Sequence, residues 1–87
     1  MENLKKMYEN KETFYFLIGS IISSSSITCA QDCIEGNKIL TDLKEKILEA
    51  DFIDKETKKE WLELCSTSIE TLNQDRRDFE SGLRDFC

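Results

Sequence analysis

The sequence predicts an all-α protein, and three observations indicate this class. The 87 residues include no proline and only three glycines, whereas β-rich domains need turn residues about every ten positions. Hydrophobic residues at 39% and charged residues at 34% fit a small globular domain better than a disordered chain or a membrane protein. The third observation is a heptad pattern in the C-terminal part of the chain. We therefore expect residues 1–87 to form one domain, a two- or three-helix antiparallel bundle.

The heptad pattern runs from Lys55 to Phe86 and predicts a long C-terminal helix. Its steps alternate between four and three residues over about four heptads, at Lys58, Leu62, Cys65, Ile69, Leu72, Arg76, Phe79, Leu83 and Phe86. A helix over residues 55–86 would be about 48 Å long, longer than the helices expected before it. Part of its stripe would stay uncovered, so we expect a homo-oligomer, most simply a dimer. Arg76, with Phe79 and Leu83, is expected to fix its register.

Two further helices are expected before this segment, over residues 3–23 and 28–50. Four consecutive serines lie between them, and serine side chains weaken a helix because they compete for nearby backbone groups. Thr28, with Gln31 three residues later, has the form of a capping box and favours a new helix there. The alternatives left open are one unbroken helix, a restart at Lys11 after Asn10, and a stop at Gly36–Asn37.

The helix over 28–50 has small residues in the first half of its apolar stripe, at Cys29, Cys33 and Gly36. Bulky side chains on the facing helices would have to fill this half. We expect them to come from among the aromatic residues Phe14, Phe16, Trp61 and Phe79. Asp54 is expected to cap the last helix.

The stretch Thr13–Gln31 carries no charge and has three interpretations. Its length nearly suffices for a transmembrane helix, but only Phe14–Ile22 is strongly apolar. A signal peptide is suggested by Lys5 and Lys6 before the apolar part, although the polar segment that precedes it is long and also carries three glutamates. We favour a helix buried within the bundle.

The net charge limits the kinds of partner we expect, and the cysteine pattern indicates the cellular compartment. Twelve basic and eighteen acidic residues give a net charge of −6, which disfavours direct nucleic-acid binding. Cys29, Cys33 and Cys65 fall on the predicted apolar stripes, where a thiol acts as a small apolar group, so we expect a reduced, cytoplasmic protein. The same three cysteines are the candidates for a zinc site, but their spacing disfavours it, and a fourth ligand would have to be Cys87 or a carboxylate.

Catalytic chemistry is not expected. The chain has no histidine and no phosphate-binding, dinucleotide-binding or calcium-binding motif, so the usual nucleophilic triads and cofactor sites are excluded. The sequence therefore predicts neither an enzyme nor a cofactor.

The favoured functional hypothesis is protein–protein binding by an adaptor, inhibitor or regulatory factor. An acidic face of the long helix would attract a basic partner, and an exposed apolar side chain would anchor it. The residues assigned to this surface are Trp61, Glu63, Glu70, Asp75, Asp78, Asp85 and Phe86.

Two alternatives belong to other functional classes. The first is a ligand-sequestering oligomer that binds an anionic or nucleotide-like molecule at the helix start after the serines. Its pocket would be lined by Tyr15, Ser23, Ser24, Ser25, Ser26 and Thr28. The second is a membrane-associated regulator that uses Phe14–Ile22.

Overall fold

The computed structural model describes residues 4–23 and 25–82. These two ranges contain four helices and no strand, so the predicted all-α class is confirmed. The helices are α1 (Leu4–Glu9), α2 (Lys11–Ile22), α3 (Ala30–Glu49) and α4 (Lys55–Glu80). As predicted, the long C-terminal helix packs along the helix before it.

Helices α3 and α4 form an antiparallel hairpin, and α2 lies across it. Asn37 in α3 donates from Nδ2 to Oδ1 of Asn73 in α4, at 2.9 Å, while the other ends of the two helices are joined by residues 50–54. Lys11, at the start of α2, donates to Oγ1 of Thr57 at 3.2 Å. Ile21, near the end of α2, lies beside Gly36. Helix α2 therefore runs parallel to α4.

The first predicted helix is broken earlier than its expected bounds of 3–23. Asn10 adopts an extended backbone conformation between α1 and α2, so the restart at Lys11 is the alternative that occurs. Helix α2 then ends at Ile22, where Ser23 is extended and its carbonyl accepts from the amides of Ser26 and Ile27, both at 3.0 Å. The predicted break at the serines is confirmed.

The start of α3 differs from the predicted capping box, because the N-cap is Cys29 and not Thr28, and the helix begins at Ala30. Thr28 donates from both its amide and its hydroxyl to Oδ2 of Asp32, at 3.0 and 2.8 Å. These hydrogen bonds lower the pKa of Asp32. Gln31 is the wrong partner because a carboxylate accepts both bonds and is favoured at the positive end of a helix. The helix continues through Gly36, so the alternative stop there is wrong.

The bounds of α4 follow from local chemistry at both ends. Asp54 caps the helix as predicted, because its Oδ2 accepts from the amide of Thr57 at 3.0 Å. At the other end Gly82 has φ +80°, a left-handed conformation that ends a helix and favours glycine. The helix therefore ends at Glu80, and the part of the predicted helix over residues 83–86 lies outside the described residues. Leu83, Asp85 and Phe86 lie outside the described residues.

The buried stripe of α4 is rotated relative to the predicted heptad stripe. The buried residues are Thr57, Trp61, Cys65, Ser68, Leu72 and Phe79. Of the predicted stripe, Leu62 and Ile69 are only half-buried and Arg76 is exposed. The buried stripe differs from the predicted one because α4 packs on α2 as well as on α3. Phe14 of α2 covers the ring of Trp61.

The two ends of the core are packed differently. Near the α3–α4 connection, the rings of Phe14 and Trp61 stack with centroids 4.0 Å apart. Some 11 positions further along α4, Leu72 and Ile21 approach Gly36 so closely that a Cβ there would lie 2.9 and 3.3 Å from their nearest carbon atoms. Aliphatic side chains, and not the predicted aromatic ones, therefore lie nearest to Gly36. Phe16 is 78% exposed.

Candidate functional site

A groove of about 680 Å³ runs between α3 and α4 on the side that α2 leaves open. None of its lining residues belongs to α2; they are Lys44, Leu48, Lys55, Lys58, Lys59, Leu62, Glu63, Ser66 and Thr67. Leu62 follows Trp61, whose ring α2 covers, and one position is about 100° around a helix. The hairpin therefore presents one face to α2 and this groove to solvent.

The floor of the groove is apolar. Leu48 is 58% exposed, and Leu62 is half-buried beside it. Two branched apolar side chains in one concave surface offer a site for an apolar side chain of another molecule.

The rim of the groove is basic, although the chain as a whole is acidic. Four lysines and one glutamate line it. Lys58 donates from Nζ to the carbonyl oxygens of Ala50 at 2.7 Å and Leu48 at 3.3 Å, so its ammonium group is held at the C-terminal end of α3. Lys44, Lys55 and Lys59 form no ion pair with a carboxylate of the described residues. Three of the four ammonium groups are thus available to an anionic partner.

A second, smaller depression of about 270 Å³ extends this face towards the start of α3. Its lining includes the exposed side chain of Ile34 and the cations Lys38 and Arg76. Arg76 donates from Nε to Oε1 of Glu80 at 2.7 Å. The residue predicted to set an oligomer register is therefore exposed and paired within its own helix, while Phe79 is buried in the core.

The acidic residues assigned to a partner surface do not share one face of α4. Glu63 and Glu70 are exposed and lie seven positions apart, which places them on the same side of the helix. Asp75 lies five positions beyond Glu70, about 140° around the axis. Asp78 is half-buried, and its Oδ1 accepts from Nε2 of Gln74 at 3.0 Å. Asp85 and Phe86 lie outside the described residues.

Trp61 cannot be the exposed anchor of a partner surface, because its side chain is fully buried. One face of the indole is covered by Phe14, and the ring of Tyr8 lies nearly perpendicular to the indole, with centroids 6.1 Å apart. This assignment was wrong because the rotation of the α4 stripe carries Trp61 into the core.

The predicted serine pocket is poorly suited to binding an anion. The Oγ of Ser23 lies within hydrogen-bond distance of the carbonyl oxygen of Ser20 at 3.3 Å and of the hydroxyls of Ser26 at 3.2 Å and Ser25 at 3.1 Å. Tyr15 is exposed and lies outside the nearby depression, which Asp32 and Glu35 help to line. Ser24 lies outside the described residues. Two carboxylates at this depression would repel an anionic ligand.

The cysteines are distributed between the core and its edge. Cys33 and Cys65 are buried and Cys29 is half-buried, all as free thiols. Burial raises the pKa of Cys65 to about 11. Among residues 4–23 and 25–82, no three metal-ligating side chains are grouped so that they could hold a metal ion.

The groove residues were not singled out by their sequence pattern. Leu48 follows Lys44 by one helical turn, and three lysines cluster at the start of α4. These are the signals that could have indicated the surface. They were insufficient because the two groups are brought together only by the hairpin.

Comparisons with protein-family models, with curated proteins and with solved structures gave no match to this chain. Within the part of the chain that the structure describes, no helix combines the length and apolarity needed to cross a bilayer.

Proposed function

We propose that this protein is a protein-binding module whose α3–α4 groove receives an acidic amphipathic helix of a partner. The observation that carries the proposal is the combination of an apolar floor, formed by Leu48 and Leu62, with a rim of four lysines. Protein binding was also the function favoured from the sequence. The proposed surface is now the α3–α4 groove and not the acidic positions of α4, and the proposed partner is acidic and not basic.

A helical partner suits the shape of the groove. Two antiparallel helices leave a trough along their line of contact, and a further helix laid in that trough buries its apolar stripe as a bundle does. The groove spans α4 from Lys55 to Thr67, which is about 18 Å of helix. A partner segment of roughly three turns would match it, with apolar residues at positions i, i+3 or i+4, and i+7.

An acidic partner suits the charge. The lysines at the rim outnumber the single carboxylate of Glu63, so a partner with glutamates beside its apolar stripe would meet ammonium groups on both sides. A basic partner would have to bind elsewhere, and the acidic positions of α4 from Glu70 to Asp78 do not form one face for it. Cytoplasmic localisation remains part of the proposal, supported by the free thiols of Cys29, Cys33 and Cys65.

The test is calorimetric titration of the full chain with a synthetic acidic amphipathic helix of about three turns. A second peptide carries glutamine at every glutamate position. We expect the acidic peptide to bind more tightly, and we expect its affinity to fall as salt is added, because rim charges are screened. Equal binding of the two peptides would refute the charge argument, and binding of anionic vesicles in place of either peptide would refute the helical partner.

Matched variants locate the binding surface. Lys59→Glu should weaken the acidic peptide about tenfold, whereas Lys6→Glu, the same change of charge on α1, should leave it unaltered. Leu48→Ser removes part of the floor and should weaken both peptides. Ile39→Ser is its control, because Ile39 is an exposed apolar residue of α3 outside the groove. Loss of binding in the control variants but not in the groove variants would place the site elsewhere.

A further inference from the structure

The outer face of α2 carries two features that a single chain does not explain. Phe16 is 78% exposed, so nearly a whole aromatic ring lies in water. Gly19 sits in the interior of the helix, and a Cβ added there would meet nothing within 4 Å. Glycine weakens a helix relative to alanine, and no neighbour in this chain requires it here.

The two features lie side by side. Phe16 is two positions after the buried Phe14, about 200° around the axis, so it points away from the core. Gly19 is three positions further on and therefore neighbours Phe16 on the helix surface. Ser20 continues the same face towards the end of the helix, and Ser23 follows directly after the last helical residue, Ile22. The face consists of one large knob beside a hollow without a side chain.

We propose that two copies of the chain associate through this face, with their α2 helices antiparallel. Around a two-fold axis, Phe16 of one copy packs over Gly19 of the second copy, and the reverse contact forms at the same time. Every contact in such an interface occurs twice. In this arrangement the Phe16 ring of each copy faces a position of the other copy that carries no side chain.

Charge supports a second copy as the occupant. Two chains of net charge −6 repel each other, but Thr13–Gln31 carries no charge. In the antiparallel register that pairs 16 with 19, Glu12 lies opposite Ser23 of the second copy and not opposite the Glu12 of that copy. A parallel register would oppose Glu12 to Glu12. The antiparallel register also places opposite ends of the two helix dipoles side by side.

This interface replaces the one expected on α4. The register residues predicted there were Arg76, which pairs with Glu80, Phe79, which is buried, and Leu83, which lies outside the described residues. The contact on α2 is short, about 18 Å for a helix of 12 residues. Interfaces of that size associate weakly, so the association should be visible only at high protein concentration.

Sedimentation equilibrium of the full chain, from micromolar to millimolar concentration, tests the proposal. We expect a monomer–dimer equilibrium whose association constant falls at least tenfold in Phe16→Ser and in Gly19→Leu, which fills the hollow. Leu48→Ser, which removes a different exposed apolar side chain, that of the α3–α4 groove, should leave the constant unchanged. A monomer at every concentration, or an equal loss in Leu48→Ser, would overturn the proposal.

A second pair of variants tests the register. Ser23→Lys and Ser23→Glu remove the same hydroxyl but place opposite charges across from Glu12 of the second copy. The antiparallel register predicts tighter association for the lysine variant than for the glutamate variant, with a difference that shrinks in high salt. Equal weakening by both would refute this register. Binding of the acidic peptide in the groove should be the same in Phe16→Ser as in the unaltered chain, so the two proposals can fail separately.

Discussion

The two ends of the helical core are held together in opposite ways. At the end near the α3–α4 connection, large rings fill the space between helices, with Phe14 stacked on Trp61. At the other end, Gly36 lets α3 come close to Leu72 of α4 and Ile21 of α2. The contact at Trp61 depends on side-chain volume, and the contact at Gly36 depends on the absence of a side chain. Deleting atoms should therefore damage the first end, and adding atoms should damage the second.

The largest expected effect is at the aromatic end. Trp61→Ala removes a fully buried side chain and should lower the free energy of unfolding by about 3–5 kcal/mol. Equilibrium unfolding in urea, followed by circular dichroism, measures the change. Trp61→Phe keeps a ring against Phe14 and should cost clearly less. Equal losses in the two variants would mean that ring stacking contributes little at this end.

At Gly36, adding a side chain should lower the stability of the fold. A Cβ at position 36 would lie 2.9 Å from Cδ1 of Leu72 and 3.3 Å from Cγ2 of Ile21. Gly36→Val should therefore destabilise the fold by about 1–3 kcal/mol, through overpacking. The double variant Gly36→Val/Leu72→Ala should lose less stability than the sum of the two single losses, because removing the Leu72 side chain makes room for the valine. Strict additivity would show that the close approach is not the cause.

Gly19 provides the matched case in which the same kind of addition should help. Its Cβ position is free of neighbours, so Gly19→Ala should raise the free energy of unfolding of the monomer by about 0.5–1 kcal/mol through helix propensity. Gly36→Ala should gain less or lose stability, since its methyl group meets Leu72. Thermal unfolding at low protein concentration compares the two. An identical response at both glycines would contradict the difference in packing.

The smallest effect concerns a hydrogen bond beside the aromatic cluster. The Tyr8 hydroxyl donates to Oδ1 of Asp54 at 2.6 Å, and this bond, with that from the Thr57 amide, lowers the pKa of Asp54. A lowered pKa in the folded state stabilises it above the unfolded pKa of about 3.9. That contribution is lost as the pH falls towards the folded value.

Tyr8→Phe should therefore lower the melting temperature at neutral pH, and the difference from the unaltered chain should shrink below about pH 4. Tyr15→Phe removes the hydroxyl of an exposed tyrosine and serves as the control. A difference for Tyr8→Phe that stays constant down to pH 2 would argue against the carboxylate as the partner.

Features set by neighbouring residues in the chain could be predicted from the sequence. The cap at Asp54 and the break at the serines depend on residues a few positions apart, and both are confirmed. The capping box at the start of α3 was predicted one position too early, because the N-cap is Cys29 and the acidic residue three positions after it is Asp32. The end of α4 before Gly82 was not predicted, because a glycine within a heptad pattern does not by itself indicate a positive φ.

Features set by the docking of whole helices could not be predicted. The pattern of α4 allows either Leu62 or Trp61 to lie at the centre of the buried stripe, and the choice depends on where α2 packs. The same rotation decides which residues face solvent. It removed Trp61 from the candidate site and brought Lys44 and Leu48 beside the lysines of α4. The lysine-rimmed groove is a product of this tertiary arrangement.

The stack of Phe14 on Trp61 also gives the molecule a built-in optical reporter. Trp61 is the only tryptophan of the chain, and it belongs to the hairpin while the ring that covers it belongs to α2. Release of α2 alone would expose the indole and shift its emission to longer wavelength, whereas most of the helical ellipticity comes from α3 and α4. An emission change that precedes the loss of ellipticity would thus mark a partly open state, and coincident changes would mark cooperative unfolding.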